Sequence, residues 1–300
     1  MNHMEKRTIA NSELVLTPEG KVYHLKLEPG DVADTVFLVG DPGRVRLMSD
    51  MFDQVDVRVE NREFVTHTGL FQGKRISVVS TGIGTDNIDI VVNEIDALVN
   101  IDLDSRQVKD LHRSLNFIRI GTSGALHADI DPGNVIVSAT AGGLDNLMHF
   151  YGGSYTLADQ DMGKAFAKHM DWNMMNSRPY FIHASPALFD RVMESGWFSG
   201  ITLSAPGFYA PQGRSLRTRL ADPDFIEKVS RFRHESVRIN NFEMEGSALY
   251  GLSGLLGHHS LTICIALANR ITGKFITDYQ PFMKDLLGKI LDKMTRDGQD

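Results

Sequence analysis

Short apolar runs separated by helix-like segments organise the chain. The runs are rich in β-branched residues and lie at 35–40, 75–82, 117–121 and 261–268. Apolar residues recur at helical spacing over 88–100 and again over 283–294. Strands that are buried on both faces form continuous apolar runs, whereas the helices that cover them are amphipathic. The alternation therefore predicts an α/β fold in which helices pack on a central sheet.

The pattern favours a single domain. A chain of 300 residues with 42% hydrophobic residues can fill one sizeable core, and no linker-like stretch or solenoid repeat interrupts it. We predict one domain over 1–300, with an N-terminal arm over 1–30 and a C-terminal helix over 278–296. The polar segment 102–116 and the segment 171–199, which contains both tryptophans, are inserted or connecting elements to which the sequence assigns no role.

Charge and composition exclude several classes of protein. The net charge of −7 is spread along the chain, and no basic block is present that would neutralise a nucleic-acid backbone. Cys264 is the only cysteine, so no intrachain disulfide can form, and the first residues lack the apolar core of a secretory signal. No apolar run approaches the roughly 20 residues that cross a bilayer. We therefore expect a cytoplasmic protein with neither a nucleic-acid nor a membrane partner.

The strand over 36–40 ends in a sequence suited to anion binding. Asp41 can cap a new helix and Pro42 can occupy its first position. The free N–H groups of that helix, with Arg44 beside them, would form a phosphate or carboxylate site. The alternative is a plain capped turn with a solvated arginine.

Two further glycine-containing segments follow predicted strands. The segment at 80–84 lacks both the third glycine of the dinucleotide fingerprint and the lysine of a P-loop. The segment at 119–124 places Arg119 inside an otherwise apolar strand, with Thr122 and Ser123 at the predicted strand end. A buried arginine needs an anionic partner, which is either a bound ligand or a structural carboxylate. Ser123 lacks the GxSxG spacing of a hydrolase, so we do not expect it to be a nucleophile.

Two carboxylates stand at the start of a predicted apolar helix. Glu243 and Glu245 flank Met244, and carboxylates in this position can accept both hydroxyls of a vicinal diol. The alternative is that the acidic residues stabilise the helix N-terminus and that Met244 belongs to the core. The eleven histidines form no HExxH or close ligand spacing, so the sequence predicts no catalytic metal site.

Taken in order, these strings resemble the uridine phosphorylase branch of the nucleoside phosphorylase family from about residue 24 to about residue 270. The matching motifs are GDPGRV at 40–45, NREF at 61–64, STGIG at 80–84, RIGTSG at 119–124, FYAPQGR at 208–214, NFEMEGSA at 241–248 and NR at 269–270. The resemblance implies a mixed, partly barrel-like central sheet flanked by helices. It also implies dimers, or hexamers built from dimers.

The resemblance assigns a role to each matching residue. The residues implied to hold phosphate are Gly40, Arg44, Arg119 and Thr122, with Arg62 reaching into the neighbouring subunit's site. Those implied to bind ribose are Glu243, Met244 and Glu245, with His24 meeting the 5′-hydroxyl across the dimer. Those implied to bind the base are Phe208, which would stack on it, and Gln212 and Arg214, which would read the uracil edge.

The family also suggests where a cation would lie. Some bacterial members bind a monovalent cation between subunits through the positions of Glu63, Ile83 and a serine that is here Asn87. That substitution argues against potassium at this place. We expect no cofactor or metal, with phosphate as co-substrate and potassium near these three residues as the exception to be tested.

The implied reaction is the reversible phosphorolysis of uridine to uracil and ribose 1-phosphate. Positive charge builds on the ribose and negative charge on the base, and phosphate is itself the nucleophile, so the protein acts by positioning and electrostatics. The implied catalytic residues are Arg119, Gln212, Arg214 and Glu245. The sequence does not decide whether the preferred substrate is uridine, deoxyuridine or thymidine, or whether the protein assembles as a dimer or a hexamer.

Three other functions compete with this reading. A purine nucleoside phosphorylase normally has an aspartate where this chain has Ala268, Asn269 and Arg270, and the next aspartate is Asp278. A nucleosidase, which is a hydrolase, should not need three phosphate-binding arginines. A nucleoside-binding protein without catalysis should not keep a competent residue at every family position.

Overall fold

Strands and helices alternate along most of the chain. The computed structural model describes residues 7–296. Its strands are β1 (Thr35–Val39), β2 (Gln54–Asn61), β3 (Phe64–Phe71), β4 (Lys74–Ser80), β5 (Ile101–Asp102), β6 (Gln107–Val108), β7 (Asn116–Ala125), β8 (Val135–Gly143), β9 (Tyr180–His183), β10 (Phe198–Ser204), β11 (Arg233–His234), β12 (Val237–Glu243) and β13 (His259–Asn269). Its α-helices are α1 (Pro42–Ser49), α2 (Thr85–Asn100), α3 (Ser154–Leu157), α4 (Gln160–His169), α5 (Pro186–Val192), α6 (Phe225–Arg231), α7 (Gly246–Leu256) and α8 (Gln280–Thr295). Short 3₁₀ turns cover Leu147–Phe150 and Ala210–Gln212.

Eleven of the described strands form one mixed sheet, part of which closes into a barrel. The neighbours run in the order β11-β12-β10-β8-β13-β7-β1-β4-β3-β2, with β9 on β8. Because β12 also pairs with β7, the five strands β7, β13, β8, β10 and β12 form a closed ring. Both parallel and antiparallel pairs occur. The predicted mixed, partly barrel-like sheet flanked by helices is confirmed.

The amphipathic segments are helices whose apolar side chains lie in the core. In α2 the residues at helical spacing, such as Ile88, Val92 and Ile95, are fully buried, and Leu287 and Ile290 of α8 are buried as well. Apolar residues from the N-terminal segment, including Val22 and Leu27, join the same core. No helix within residues 7–296 is both long and apolar enough to span a membrane.

The expectation that a strand ends near Gly121 is wrong, because the segment 119–124 is part of a strand and not a loop. Strand β7 continues through 121–125, because its backbone pairs with β13 along this stretch and Gly124 and Ala125 pair with β12. Continuation of β7 brings β12 against it and so closes the barrel. Arg119 and Thr122 therefore project from a strand in the middle of the sheet.

The two segments without an assigned role are partly regular. Segment 102–116 contains most of a short hairpin made by β5 and β6. Segment 171–199 contains β9, α5 and the beginning of β10, and β9 pairs antiparallel with β8. Strand β9 adds to the sheet beside β8, α5 packs against α8 and β13, and β5 packs against α2.

Candidate active site

The glycine-containing segments meet where the parallel strands β1 and β4 end beside the middle of β7. In register, Val39 of β1 lies opposite Ser80 of β4, and Leu38 lies opposite Arg119 of β7. The chain leaving β1 at Gly40 therefore runs beside both neighbours. A Cβ on Gly40 would lie 3.3 Å from the carbonyl oxygen of Gly82. Ligands of α/β sheets bind in this type of crevice, outside the carboxyl ends of the strands.

The turn after β1 forms the predicted helix start. Asp41 accepts a hydrogen bond from the N–H of Gly43 at 2.8 Å, and Pro42 is the first residue of α1. Arg44 is 8% exposed, so the alternative of a solvated arginine is wrong. Its guanidinium lies over the ring of Tyr279, and its Nε has no hydrogen-bond partner among residues 7–296.

Arg119 is buried and paired with carboxylates of this chain. Its Nη1 lies 3.1 Å from Glu243 Oε2, and its Nη2 donates to Glu245 Oε2. Burial alone would lower the pKa of Arg119, but the charges of Glu245 and Glu243 outweigh it and raise that pKa. The structural ion pair that the sequence left as an alternative is therefore present. The Nε of Arg119 has no partner within the described chain.

Glu245 connects the arginine to the loop after β4. Its Oε1 accepts from the N–H of Gly84 at 2.8 Å, and its Oε2 accepts from that of Met244 at 3.2 Å. Burial raises the pKa of Glu245 in spite of the neighbouring Arg119. Met244 is the one residue of 241–248 that is only partly buried, which argues against the alternative that it belongs to the core.

Glu243 stabilises the start of α7. Its carboxylate accepts hydrogen bonds from the N–H groups of Glu245 at 2.9 Å and Gly246 at 3.0 and 2.9 Å. It also accepts from the hydroxyl of Ser204. The electrostatic role at a helix N-terminus, which the sequence offered as an alternative, is therefore real for Glu243.

The candidate base-binding residues form a second group next to β7. Arg214 donates through Nη1 to Gln212 Oε1 at 2.6 Å and to the carbonyl oxygen of Phe208 at 2.6 Å. Its guanidinium carbon lies 3.9 Å from the centre of the Phe208 ring. A Cβ on Gly124 would contact both Arg214 and Arg270, at 3.6 and 3.5 Å. The group therefore lies beside the same strand as Arg119 and Thr122.

Arg270 is the functional candidate whose side-chain role the sequence did not predict. It donates to the backbone carbonyls of Gln212 at 2.9 Å and Gly213 at 3.2 Å. Burial first, and then the charge of Arg270, lowers the pKa of Arg214 to about 10. The NR motif was the available signal, but nothing in it indicated that the arginine would support a loop some 58 residues earlier in the chain.

His24 lies close to the turn that carries Arg62. His24 Nδ1 is 2.6 Å from Glu94 Oε1, and Asn61 donates to the carbonyl oxygen of His24 at 2.7 Å. Arg62 is exposed at φ 56° in the turn between β2 and β3, and no hydrogen bond or ion pair joins its side chain to residues 7–296. Within one protomer, the described residues therefore give the side chain of Arg62 no polar partner.

The positions suggested for a cation are close together. Asn87 Nδ2 donates to Glu63 Oε1 at 3.4 Å, and the side chain of Ile83 is exposed. The Asn87 amide therefore uses one oxygen of the Glu63 carboxylate, and whether a cation binds at these positions stays a prediction.

A second group with metal-binding residue types is Asp96, His112 and His258, which are far apart in sequence. His258 Nδ1 accepts from the N–H of Leu115 at 3.2 Å, so its Nε2 carries the proton and donates to Asp96 at 3.1 Å. His112 Nε2 lies 2.8 Å from the carbonyl oxygen of Leu256. These hydrogen bonds explain the group without a metal ion.

A cavity of about 750 Å³ lies next to the loop that carries Gln212. Pro206, Ala210 and Pro211 form one side of it, and residues 170–177 form another. Its wall combines apolar residues such as Trp172 and Phe225 with polar residues such as Asp222 and Lys228.

Comparison with known proteins places the chain in a family. The sequence profile of the Phosphorylase superfamily matches residues 34–291, and the chain belongs to this superfamily. The chain is 32% identical over 265 residues to a uridine phosphorylase of Thermococcus kodakarensis, which is 88% of this chain and 83% of that protein. It is 26% identical over 279 residues to a DeoD-type purine nucleoside phosphorylase of Oceanobacillus iheyensis, covering 91% and 99%.

A solved structure agrees with this placement. A nucleoside phosphorylase of Trypanosoma brucei, described as showing uridine phosphorylase activity, superimposes with a TM-score of 0.82 at 27% identity. The match covers 93% of this chain and 98% of that one.

Proposed function

We propose that this protein is a uridine phosphorylase, a pentosyltransferase that cleaves uridine with inorganic phosphate to uracil and ribose 1-phosphate. The observation that carries the proposal is the course of β7. Along this one strand lie Arg119, bound to Glu245 of the ribose motif, then Thr122, and then Gly124 against the base-reading Arg214. Phosphate, ribose and base residues are therefore adjacent in the order that a nucleoside and a nucleophile require.

The phosphate end is supported by unsatisfied donors. The Nε atoms of Arg44 and Arg119 and the hydroxyl of Ser123 are buried, without partners among residues 7–296. Buried polar groups are normally hydrogen-bonded, so such orphans indicate a missing ligand. We propose that phosphate takes these donors, with Gly40 and Thr122 at its edge, and is thereby aligned with C1′.

The sugar and base ends supply the rest of the catalysis. Glu245, with Glu243 behind it, would accept the 2′- and 3′-hydroxyls, while Met244 packs under the ribose. Gln212 and Arg214 would donate to a uracil ring that gains negative charge as the C–N bond breaks, which stabilises the transition state more than the substrate. No cofactor takes part in this scheme, and we propose no potassium requirement because Asn87 donates to Glu63.

A purine substrate fits this site less well. Of residues 268–270, where a purine nucleoside phosphorylase normally has its aspartate, Asn269 is buried and its amide is fully used in hydrogen bonds. Its Nδ2 donates to His127 and Ile130 carbonyls at 2.7 and 2.9 Å, and its Oδ1 accepts from two backbone N–H groups. No proton donor for a purine N7 is available from that residue.

The test of the reaction class is the phosphate dependence of base release. Uracil should appear from uridine only when phosphate is present, together with an equal amount of ribose 1-phosphate. Release of uracil without phosphate would make the protein a nucleosidase, and binding without release in either condition would make it a nucleoside-binding protein. We also propose a cytoplasmic location. Cys264 is the only cysteine and is buried, so the fold contains no disulfide that the reducing cytoplasm would break.

We further propose a homodimer as the smallest active unit, since the family resemblance assigns Arg62 and His24 to the neighbouring subunit's site and the exposed side chain of Arg62 has no polar partner among residues 7–296. An inactive Arg62→Ala protein mixed with an inactive Glu245→Ala protein should regain roughly a quarter of wild-type activity after subunit exchange, because half of the dimers are mixed and each has one intact site.

The control is a mixture of Arg119→Ala and Glu245→Ala, whose lesions lie in the same site and should not complement each other. Demonstrated exchange with no recovery in the first mixture would exclude shared sites.

A further inference from the structure

A buried chain of hydrogen bonds connects strand β9 with the substrate crevice. It begins at the hydroxyl of Tyr180, which donates to Asp145, whose oxygens lie at 2.8 and 2.7 Å. The hydroxyl of Ser247 donates to the same carboxylate at 3.0 Å. The N–H of Ser247 donates to Ser204 Oγ at 2.8 Å, and that hydroxyl donates to Glu243. The chain thus ends on a carboxylate of the proposed ribose site.

Asp145 is an unusual residue for a purely structural position. It is 5% exposed and forms no ion pair with a cation of residues 7–296. Its donors are two hydroxyls and the N–H of Leu147 at 2.8 Å. A buried carboxylate without a counter-ion is costly unless every acceptor site is used. An apolar side chain would fill the same space at less cost if packing were the only requirement.

The position of Tyr180 is determined by the sheet. It lies opposite Gly143 in the antiparallel pair of β8 and β9, and any side chain on Gly143 would overlap its ring. Burial, and then the charge of Asp145, raises the pKa of Tyr180 well above its usual value, so the hydroxyl keeps its proton and remains a donor. Segment 171–199 thereby places the hydroxyl of Tyr180 at a fixed position in the interior of the protein.

The far end of the chain controls the first turn of α7. Ser247 is the second residue of that helix, held on one side by Asp145 and on the other, through Ser204, by Glu243. Glu243 in turn binds the N–H groups of Glu245 and Gly246. A displacement of Asp145 is therefore transmitted to both ribose-motif carboxylates.

We propose that Tyr180 is a positioning residue that, through Asp145 and Ser247, holds the first turn of α7 so that Glu245, supported by Glu243, meets the ribose hydroxyls. The inference rests on the proposed function, because it assigns the ribose to these carboxylates. Carboxylates that are misplaced by a fraction of an ångström lose directed hydrogen bonds to the diol, and such errors cost on the order of 10- to 100-fold in rate.

The test compares two buried tyrosines. Tyr180→Phe removes only the hydroxyl that binds Asp145. The matched control is Tyr250→Phe, because Tyr250 is also buried, belongs to α7 itself and loses hydrogen bonds to the Ser138 carbonyl at 2.7 Å and from the Thr262 N–H at 2.8 Å. Both variants should lose thermal stability, but only Tyr180→Phe should change the preference of the enzyme between ribose and 2′-deoxyribose substrates.

The measured quantity is kcat/KM for uridine divided by that for 2′-deoxyuridine. This ratio should fall about tenfold in Tyr180→Phe and stay within about twofold of wild type in Tyr250→Phe, since a general loss of structure lowers both substrates alike. Adding Tyr180→Phe to Glu243→Gln should change the ratio little further, because both substitutions disturb the same first turn of α7. An unchanged ratio in Tyr180→Phe, or equal changes in both tyrosine variants, would overturn the inference.

Two further measurements keep the result decisive. If Tyr180→Phe does not fold, Ser204→Ala breaks the last link of the same chain and should show the same change in ratio. If the wild type does not cleave uridine, the proposed function fails, and positioning is judged from uridine affinity by calorimetry without phosphate. Tyr180→Phe should then bind about tenfold more weakly and Tyr250→Phe normally; a wild type that binds no uridine overturns both proposals.

Discussion

Uridine should be cleaved with a kcat/KM on the order of 10⁴-fold above that of cytidine, inosine or adenosine, because Gln212 and Arg214 form a site built from hydrogen bonds. A glutamine amide offers a donor and an acceptor, and an arginine offers only donors. Together they complement the O2–N3H–O4 edge of uracil. Cytosine has an amino group at position 4 and an unprotonated N3, which leaves donors facing donors, and purines lack this edge at the matching distance from C1′.

The structure strengthens this expectation by showing how the pair is held. Gln212 is 2% exposed, and its amide oxygen accepts from Arg214, which determines the orientation of the amide. Arg270 holds the backbone of the same loop. Polar groups that are prepositioned in this way remain unpaired when the wrong base enters, and an unpaired buried group costs more than a missing methylene.

The measurement is kcat/KM for the four nucleosides at saturating phosphate. Gln212→Ala and Arg214→Ala should lose uridine turnover while their KM for phosphate stays close to that of wild type. Arg217→Ala, a change at a nearby exposed arginine, serves as the control. If inosine or adenosine is cleaved as well as uridine, the uracil-reading role of the pair is wrong and the purine nucleoside phosphorylase alternative replaces it.

Replacing Arg119 by alanine should lower turnover by on the order of 10²-fold or more and raise the phosphate concentration needed for half-maximal rate. In the free protein Arg119 neutralises Glu245 and Glu243. Under the proposal, phosphate binds the Nε of this guanidinium, which the two carboxylates leave unpaired. The substitution removes both the phosphate donor and the counter-charge of two buried carboxylates.

The loss of the counter-charge requires a separate control, because unpaired buried carboxylates destabilise a fold by roughly 3–5 kcal/mol. Arg44→Ala lacks this complication, since no carboxylate of residues 7–296 pairs with Arg44. It should raise the phosphate KM with a smaller loss of stability, as judged by thermal melting. Arg231→Ala, at an exposed arginine, should leave both quantities unchanged. Near-normal phosphate kinetics in folded Arg119→Ala and Arg44→Ala would refute the phosphate site.

The sequence by itself determined the elements whose signals are local. The apolar runs predicted the central strands because a strand buried on both faces needs consecutive apolar residues, and the spacing of Ile88, Val92 and Ile95 predicted the buried face of α2. The start of α1 at Pro42 and its cap at Asp41 followed from backbone chemistry within three residues. The motifs also indicated which residue types would meet phosphate, ribose and base.

Only the tertiary structure decided how these residues are paired. Arg119 meets Glu243 and Glu245 because β7 and β12 close the barrel against each other, and β7 continues past Gly121 because neighbouring strands supply hydrogen-bond partners there. The placement of Tyr180 on Asp145 likewise depends on the pairing of β9 with β8. Contacts of this kind join residues far apart in the chain. In strands that are buried on both faces the apolar residues run continuously instead of alternating, so the local pattern specifies neither the partner strand nor the register.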